Sequence, residues 1–305
     1  MNTLVPATVR DASPPLHVGS WKRMAGFVFG IATQALFALT VVELFSFLRH
    51  GPDSPGQNWL VTDTILALQF AVPHSVLLHP RFRSLFRRWF PGEMHGVFFC
   101  AWTCVSLRLM FRFWQSSRFV LWDLDGPSAA LIGALFYASW GSLIYSISLT
   151  GAGFQTGWTQ WRCWYRRQPL PRRNFEARGA YQFVRHPVYL SFLGLIWLTP
   201  TMSADHAVLT GIWTSYIFVG SILKDQRLLL YLGDSYAEYM ARVPGFPLMV
   251  AGPPGRRARQ AVPRCEPPDI SGRTALGSQT AQTARQDVNC VVRDHRCGRP
   301  GATPA

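Results

Sequence analysis

The sequence predicts an all-α fold: a polytopic membrane helix bundle of about six transmembrane helices, with interfacial amphipathic helices and a disordered C-terminal tail. Three observations lead there. The 305 residues are 49% hydrophobic and 14% aromatic but only 15% charged, too few charges for a soluble domain of ordinary usage. The apolar residues gather into runs near the roughly 20 needed to cross a hydrocarbon core as a helix. The basic residues lie between those runs, on alternate sides.

The first run, Met24 to Leu48, is interrupted only by Gln34 and Glu43. It is longer than a signal-peptide core and no small-residue cleavage pattern follows it, so no cleaved signal is expected after the flexible N-terminal residues 1–20. The second run, Leu60 to Leu78, carries Pro73 and His74 near its end, and the third, Met94 to Phe113, carries Arg108 and Arg112. For these arginines, anchoring or pairing with Glu93 is the default expectation. The fourth, Ser128 to Leu149, is uncharged; the fifth starts at Val188 and reaches Pro200; the sixth runs from Ala207 to Leu223. The last two are the shortest and the most prone to tilt or re-enter. All six belong to one membrane domain, residues 21–250.

Lys and Arg in short loops concentrate on the cytoplasmic side. Lys22 and Arg23 precede the first run, Arg81, Arg83, Arg87 and Arg88 follow the second, Arg162, Arg166, Arg167, Arg172, Arg173 and Arg178 follow the fourth, and Lys224 and Arg227 follow the sixth. The opposite loops hold little beyond Arg49, Arg118, Asp53, Asp123, Asp125 and Asp205. Six crossings put every basic cluster on one side, with both termini cytoplasmic, as in a bacterial inner membrane. The net charge of +14 is thereby accounted for by membrane orientation and anionic lipid, and no nucleic-acid partner is expected.

Two amphipathic segments border the bundle. Pro80 to Phe90 alternates Arg with Phe, Leu and Trp, as an interfacial anchor would. Leu228, Leu229, Leu232, Tyr236 and Tyr239 recur near helical spacing and end at Pro244, a helix folded back along the surface. Residues 251–305 turn to Gly, Pro, Arg, Thr and Gln, cannot bury enough apolar surface to offset ordering, and read as a tail dispensable for chemistry. Of the six cysteines, Cys100, Cys104, Cys163, Cys265, Cys290 and Cys297, no two form a close CxxC pair. Cys290, His295 and Cys297 lack the four-ligand spacing of a zinc site, so no metal is expected.

The chemistry concentrates in GAYQFVRHPVYLSFL, Gly179 to Leu193, at the mouth of the fifth run. Pro187 biases His186 away from helical geometry and suits the first turn of the helix that follows. A short connection from Met202 to His206 makes the fifth and sixth runs antiparallel neighbours, so Arg185, His186, Tyr189 and Asp225 share one end. From spacing alone, two readings stand side by side. The residues form a pocket, or they are snorkelling anchors and interfacial tyrosines.

The stretch Arg185-His186-Pro187-Val188-Tyr189, followed by a hairpin, an acid and LGDSYAEYMARVP, resembles the isoprenylcysteine carboxyl methyltransferase superfamily. His74-Ser75 in VPHSVLLHPRF and the turn Trp197 to Met202 in WLTPTM are similar to the methanethiol S-methyltransferase group and NnrU-like membrane proteins. The resemblance covers most of Leu60 to Pro247. It implies S-adenosylmethionine at the corner of RHPVY and Asp225, with Tyr181, Arg185, His186, Tyr189, Asp225 and Tyr236 as cofactor-binding residues. Chemically, Arg185 suits the cofactor's carboxylate, Asp225 its ammonium, and Tyr189 or another aromatic its sulfonium.

Three positions depart from the family's pattern: Asp225 where Glu is usual, Ser191 where Gly is expected, and Pro73 where the closer group has Gln. The shorter acid calls for a shifted backbone, and Ser191 for altered helix packing. Arg185 and His74 are the candidate catalytic residues, as cations or bases that favour a thiolate. His74 has a rival role, satisfying carbonyls freed by Pro73. The expected acceptor is a small lipophilic thiol. The alternatives are a lipid or prenylcysteine-type acceptor, a non-enzymatic NnrU-like protein, and, because RHPxY occurs there too, an NADPH-dependent reductase.

Overall fold

The computed structural model describes residues 20–52, 54–171, 176–249 and 252–256. Asp53, Arg172, Arg173, the N-terminal residues before Ser20, and the expected tail beyond Arg256 with Cys265, Cys290, His295 and Cys297 lie outside them.

Helices α1 (Ser20–His50), α2 (Trp59–Leu78), α3 (Pro80–Phe86) and α4 (His95–Phe113, entered through a 3-10 turn, Gly92–Met94) come first. They are followed by strand β1 (Val120–Asp123) and helices α5 (Gly126–Thr150), α6 (Ala152–Gln155) and α7 (Trp158–Arg166). A second 3-10 turn, Gly179–Gln182, leads into α8 (Pro187–Trp197), β2 (Thr201–Ser203), α9 (Ala204–Leu232) and α10 (Asp234–Arg242). Among the described residues, five helices are long and apolar enough to cross a membrane: those containing α1, α2, α4, α5 and α9. Residues such as Val42, Ile65, Leu131, Ile144 and Val219 are exposed along them, as lipid-facing positions are. This is an integral membrane protein.

The fifth expected crossing is not a full helix. At 1.5 Å per residue, the 11 residues of α8 reach only about 16 Å, roughly half the hydrocarbon core. Helix α8 runs antiparallel along α5, with the Ser191 hydroxyl donating to Ser142 at 2.9 Å and Gly194 set tightly against Ser139. Beyond Trp197 the chain turns extended, and β2 pairs with β1 just ahead of the start of α5. Extended backbone gains about 3.3 Å per residue, so this short continuation carries the chain further along the bundle than α8 alone. The sixth span is longer than expected: α9 runs unbroken to Leu232, takes in Lys224 to Arg227, and ends before Gly233, leaving α10 as a short separate helix.

At the end away from the basic loops, carboxylates tie the connections together. Asp63 accepts from the Gln115 amide at 2.9 Å, while Asp205 accepts from the Ser117 amide at 2.8 Å and the Trp114 indole at 3.2 Å. At the basic end, α7 docks on α1. The Trp161 indole donates to the Gly26 carbonyl at 2.8 Å, and Arg23 donates to the Tyr165 carbonyl at 2.8 Å. One turn on, Gly30 is required by close approach, since a Cβ there would lie 2.2 Å from the Trp161 ring. Between the two ends, Phe47, Phe70, Met110, Trp114, Phe136, Leu195, Leu209 and Trp213 form the shared core. Arg108 pairs at 2.7 Å with Glu43 of α1, not with the expected Glu93, because its position on α4 faces α1.

Candidate active site

The residues around RHPVY form a corner built mostly from backbone. Pro187 opens α8 and leaves His186 at φ −124°, ψ 52°, outside helical geometry. The Arg185 amide donates to the Pro244 carbonyl at 2.9 Å and the His186 amide to the Gly245 carbonyl at 3.2 Å, so the segment after α10 lies along the corner. The Gly245 amide donates in turn to the Pro254 carbonyl at 2.7 Å. A Cβ on Gly245 would meet that carbonyl at 2.4 Å and the His186 ring at 3.2 Å, which leaves room only for glycine.

Side chains then close on Asp225 from three directions. Arg185 donates to its Oδ2 through Nη2 at 2.9 Å and Nε at 3.2 Å, and the Tyr236 hydroxyl of α10 donates to its Oδ1 at 2.6 Å. His186 Nε2 lies 3.2 Å from the same Oδ1, and among the described residues its Nδ1 has no hydrogen-bond partner. Asp225, His186, Arg185 and Tyr236 are all within 2% of complete burial. Burial holds the His186 imidazole below its ordinary range, with the Asp225 carboxylate pulling it partly back, and pushes the Tyr236 phenol well above its own.

Arg185 has no free donor nitrogen. Its Nη1 donates to the carbonyls of Val243 at 2.6 Å, Gly255 at 2.9 Å and Met240 at 3.3 Å, while Nε and Nη2 are spent on Asp225. The guanidinium joins α9, α10 and two loop segments. Tyr181 sits at the rim, its carbonyl accepting from the Tyr239 hydroxyl at 2.5 Å and its phenol facing Thr150. Burial raises the phenol pKa of both tyrosines.

Tyr189 is the residue with an open electrostatic role. Its ring stacks on His186, centroids 5.5 Å apart, and carries the Lys224 ammonium 5.1 Å from its centre. His74 lies across on α2, its ring among Phe70, Phe99 and Tyr216, with Nδ1 3.4 Å from the Thr103 hydroxyl of α4. It turns toward α4, not back to the carbonyls beside Pro73. His74 is thus separate from the Asp225 cluster but borders the Tyr189 side of it through Tyr216.

The chain is 29% identical over 231 residues to a methanethiol S-methyltransferase of Pseudomonas sp. strain GM41, covering 72% of this chain and 89% of that one. A methanethiol S-methyltransferase of Mycobacterium tuberculosis is 27% identical over 232 residues, 73% of this chain and 95% of its own. This chain is a relative of the methanethiol S-methyltransferases. Nurim of Rattus norvegicus is a further relative, 28% identical over 236 residues, 68% of this chain and 88% of nurim. No family model matches the chain, and no solved structure does.

The RHPVY corner, Asp225 and Tyr236 stand together in the structure. Sequence reasoning missed four participants. Lys224 and Arg227 flank Asp225 at one position before and two after, and as charges at a span's end they read only as orientation signals. The carbonyls of Pro254 and Gly255 have no side-chain signature, and they lie in the stretch assigned to the tail.

Proposed function

We propose that the chain is a membrane methyltransferase that passes a methyl group from S-adenosylmethionine to a small thiol of the methanethiol type, where α8 and α9 meet at the basic end. One observation carries this reading. Arg185 and Asp225, 40 residues apart in sequence, are brought into one buried network with His186 and Tyr236, in a chain whose relatives are named methanethiol S-methyltransferases.

The residues fit the donor. An electron-rich ring can stabilise a sulfonium, and Tyr189 stands beside His186 at the corner. Among the described residues Nδ1 of buried His186 has no hydrogen-bond partner, a cost in free energy that a polar ligand would recover. Tyr189 and His186, with Tyr181 at the rim, are therefore the residues proposed to hold the donor. Arg185, Asp225 and Tyr236 are positioning residues that fix the corner. When bound, S-adenosylmethionine supplies a methyl carbon on a positively charged sulfur. The chain contributes alignment and a water-poor setting, which account for much of the rate in an in-line displacement.

The positive-inside pattern supports placing this end in the cytoplasm of a bacterial inner membrane, where a soluble donor is available. An even number of crossings puts both termini there. The acceptor, small and lipophilic, enters through the bilayer.

Membranes incubated with methyl-labelled donor and methanethiol are expected to release label to the headspace as dimethyl sulfide. Arg185→Ala and Asp225→Ala should each lower that release about 100-fold, the cost of an ångström-scale misplacement. Label confined to the lipid fraction would point to a lipid acceptor, and no transfer at all to a non-enzymatic role. Full activity in both variants would remove the site.

A further inference from the structure

The charges at the basic end do not balance within the described residues. Asp225 is committed to Arg185, Tyr236 and His186. One turn of α9 also presents Lys224 and Arg227, and neither enters any ion pair among the described residues. Both are partly buried and turned inward. Lys224 lies over Tyr189, and Arg227 Nη1 donates at 3.4 Å to the Leu78 carbonyl, at the end of α2. Cations that act only as membrane anchors extend to the headgroups; these two lie back against a ring and a helix end.

The groups around them are neutral or already engaged. Arg227 is close enough for its charge to act on His74 of α2, Tyr189 of α8 and Tyr216 of α9. Ser75 meets the Tyr216 hydroxyl. Beyond Asp225 stand Arg185 and His186 of the corner and Tyr236 of α10. Two cations held partly out of water, with no carboxylate of their own, favour an anion between them. The aromatic wall of Phe70, Phe99 and Tyr216 around His74 leaves an apolar side for a small alkyl group.

We infer that Lys224 and Arg227 form the acceptor subsite and take the thiol as its thiolate, with the thiol proton left in bulk water. The inference rests on the proposed thiol methylation and names the cations that serve it, in place of Arg185. No protein base is required, because the anion is drawn from the ionised fraction in solution and its binding pulls that equilibrium forward. The nucleophilic sulfur is then charged before it meets the donor.

The test needs no methyl transfer. Donor-free protein in phosphatidylcholine nanodiscs, which present no competing anionic headgroup, is titrated with ethanethiol in two buffers of different ionisation enthalpy. Calorimetry then gives the protons released per thiol bound. Close to one proton is expected at pH 7 for the unaltered chain. Arg227→Gln and Lys224→Gln should bind about tenfold or more weakly, with little release, while Arg227→Lys keeps it. Binding without proton release in the unaltered chain overturns the inference, as do Gln variants that behave like it; if a variant is too unstable to titrate, the unaltered chain alone decides. A chain that binds thiol with release but never methylates it defeats the proposed function and leaves this subsite standing. Methylation of a thiol bound without release does the reverse.

Discussion

Asp225 shows how a single shortened side chain can be accommodated. The resemblance called for Glu, yet Asp225 still reaches Arg185 at 2.9 Å and Tyr236 at 2.6 Å, because α10 lies directly over it. A buried ion pair is weak evidence of stability, since desolvation offsets much of its Coulomb gain, but removing one partner strands the other. The network is therefore best understood as a positioning device. Ser191 is accommodated as simply: its hydroxyl lies 2.9 Å from both the Pro187 carbonyl and the Ser142 hydroxyl, so it joins α8 to α5 without separating them. His186 carries a pH signature. Burial favours its neutral form in the folded chain, so its folded pKa lies below the unfolded value of about 6.5. Stability linked to this group is fully present above that value and is lost as pH falls below it toward the folded pKa. The melting temperature of the unaltered chain should thus drop between pH 7 and pH 5, and that of His186→Gln should drop less. Parallel curves would show that His186 does not titrate with unfolding.

Among the elements, the full-length helices were the legible part, because lipid demands internally hydrogen-bonded apolar segments of fixed length and the sequence displays them openly. Where the chain departs from a full apolar helix, the reading failed for local reasons. Helix α8 ends at Trp197 and hands its crossing to extended backbone paired with β1, a tertiary contact with no periodicity of its own. Helix α9 continues past the charged run at Lys224 because those charges turn inward against Tyr189 and α2. The docking of α7 on α1 was equally hidden, although Gly26 and Gly30 stand at the small-xxx-small spacing that permits close approach. It is testable there. Gly30→Val would force a side chain into the Trp161 ring, and overpacking of this kind costs about 1–3 kcal/mol. Gly211→Ala, which meets nothing within 4 Å, serves as the control. A lower melting temperature for Gly30→Val alone is expected, and equal melting of the two would mean that α7 does not rest on α1.

For the whole molecule, the candidate site was half legible. RHPVY, Asp225 and Tyr236 could be joined because an antiparallel hairpin brings its two ends together, whereas the backbone segment roofing them could not. Residues 252–256 belong to a Gly- and Pro-rich stretch that composition assigns to a tail, yet Gly255 and Pro254 supply carbonyls to Arg185 and Gly245. Composition reports whether a segment can build a core, not whether a few of its carbonyls complete another segment's hydrogen bonds. The working unit is therefore expected to extend to Arg256. A chain ending after Arg256 should keep the melting temperature and methyl transfer of the full sequence. A chain ending after Met249 leaves the Gly245 amide without its acceptor, at about 1–3 kcal/mol for a buried group left unpaired, and takes the Gly255 carbonyl from Arg185. Since Arg185 also orients Asp225, loosening it should lower transfer as well as stability. If the two truncated chains melt and react alike, the roof contributes nothing and the corner is held by α10 alone.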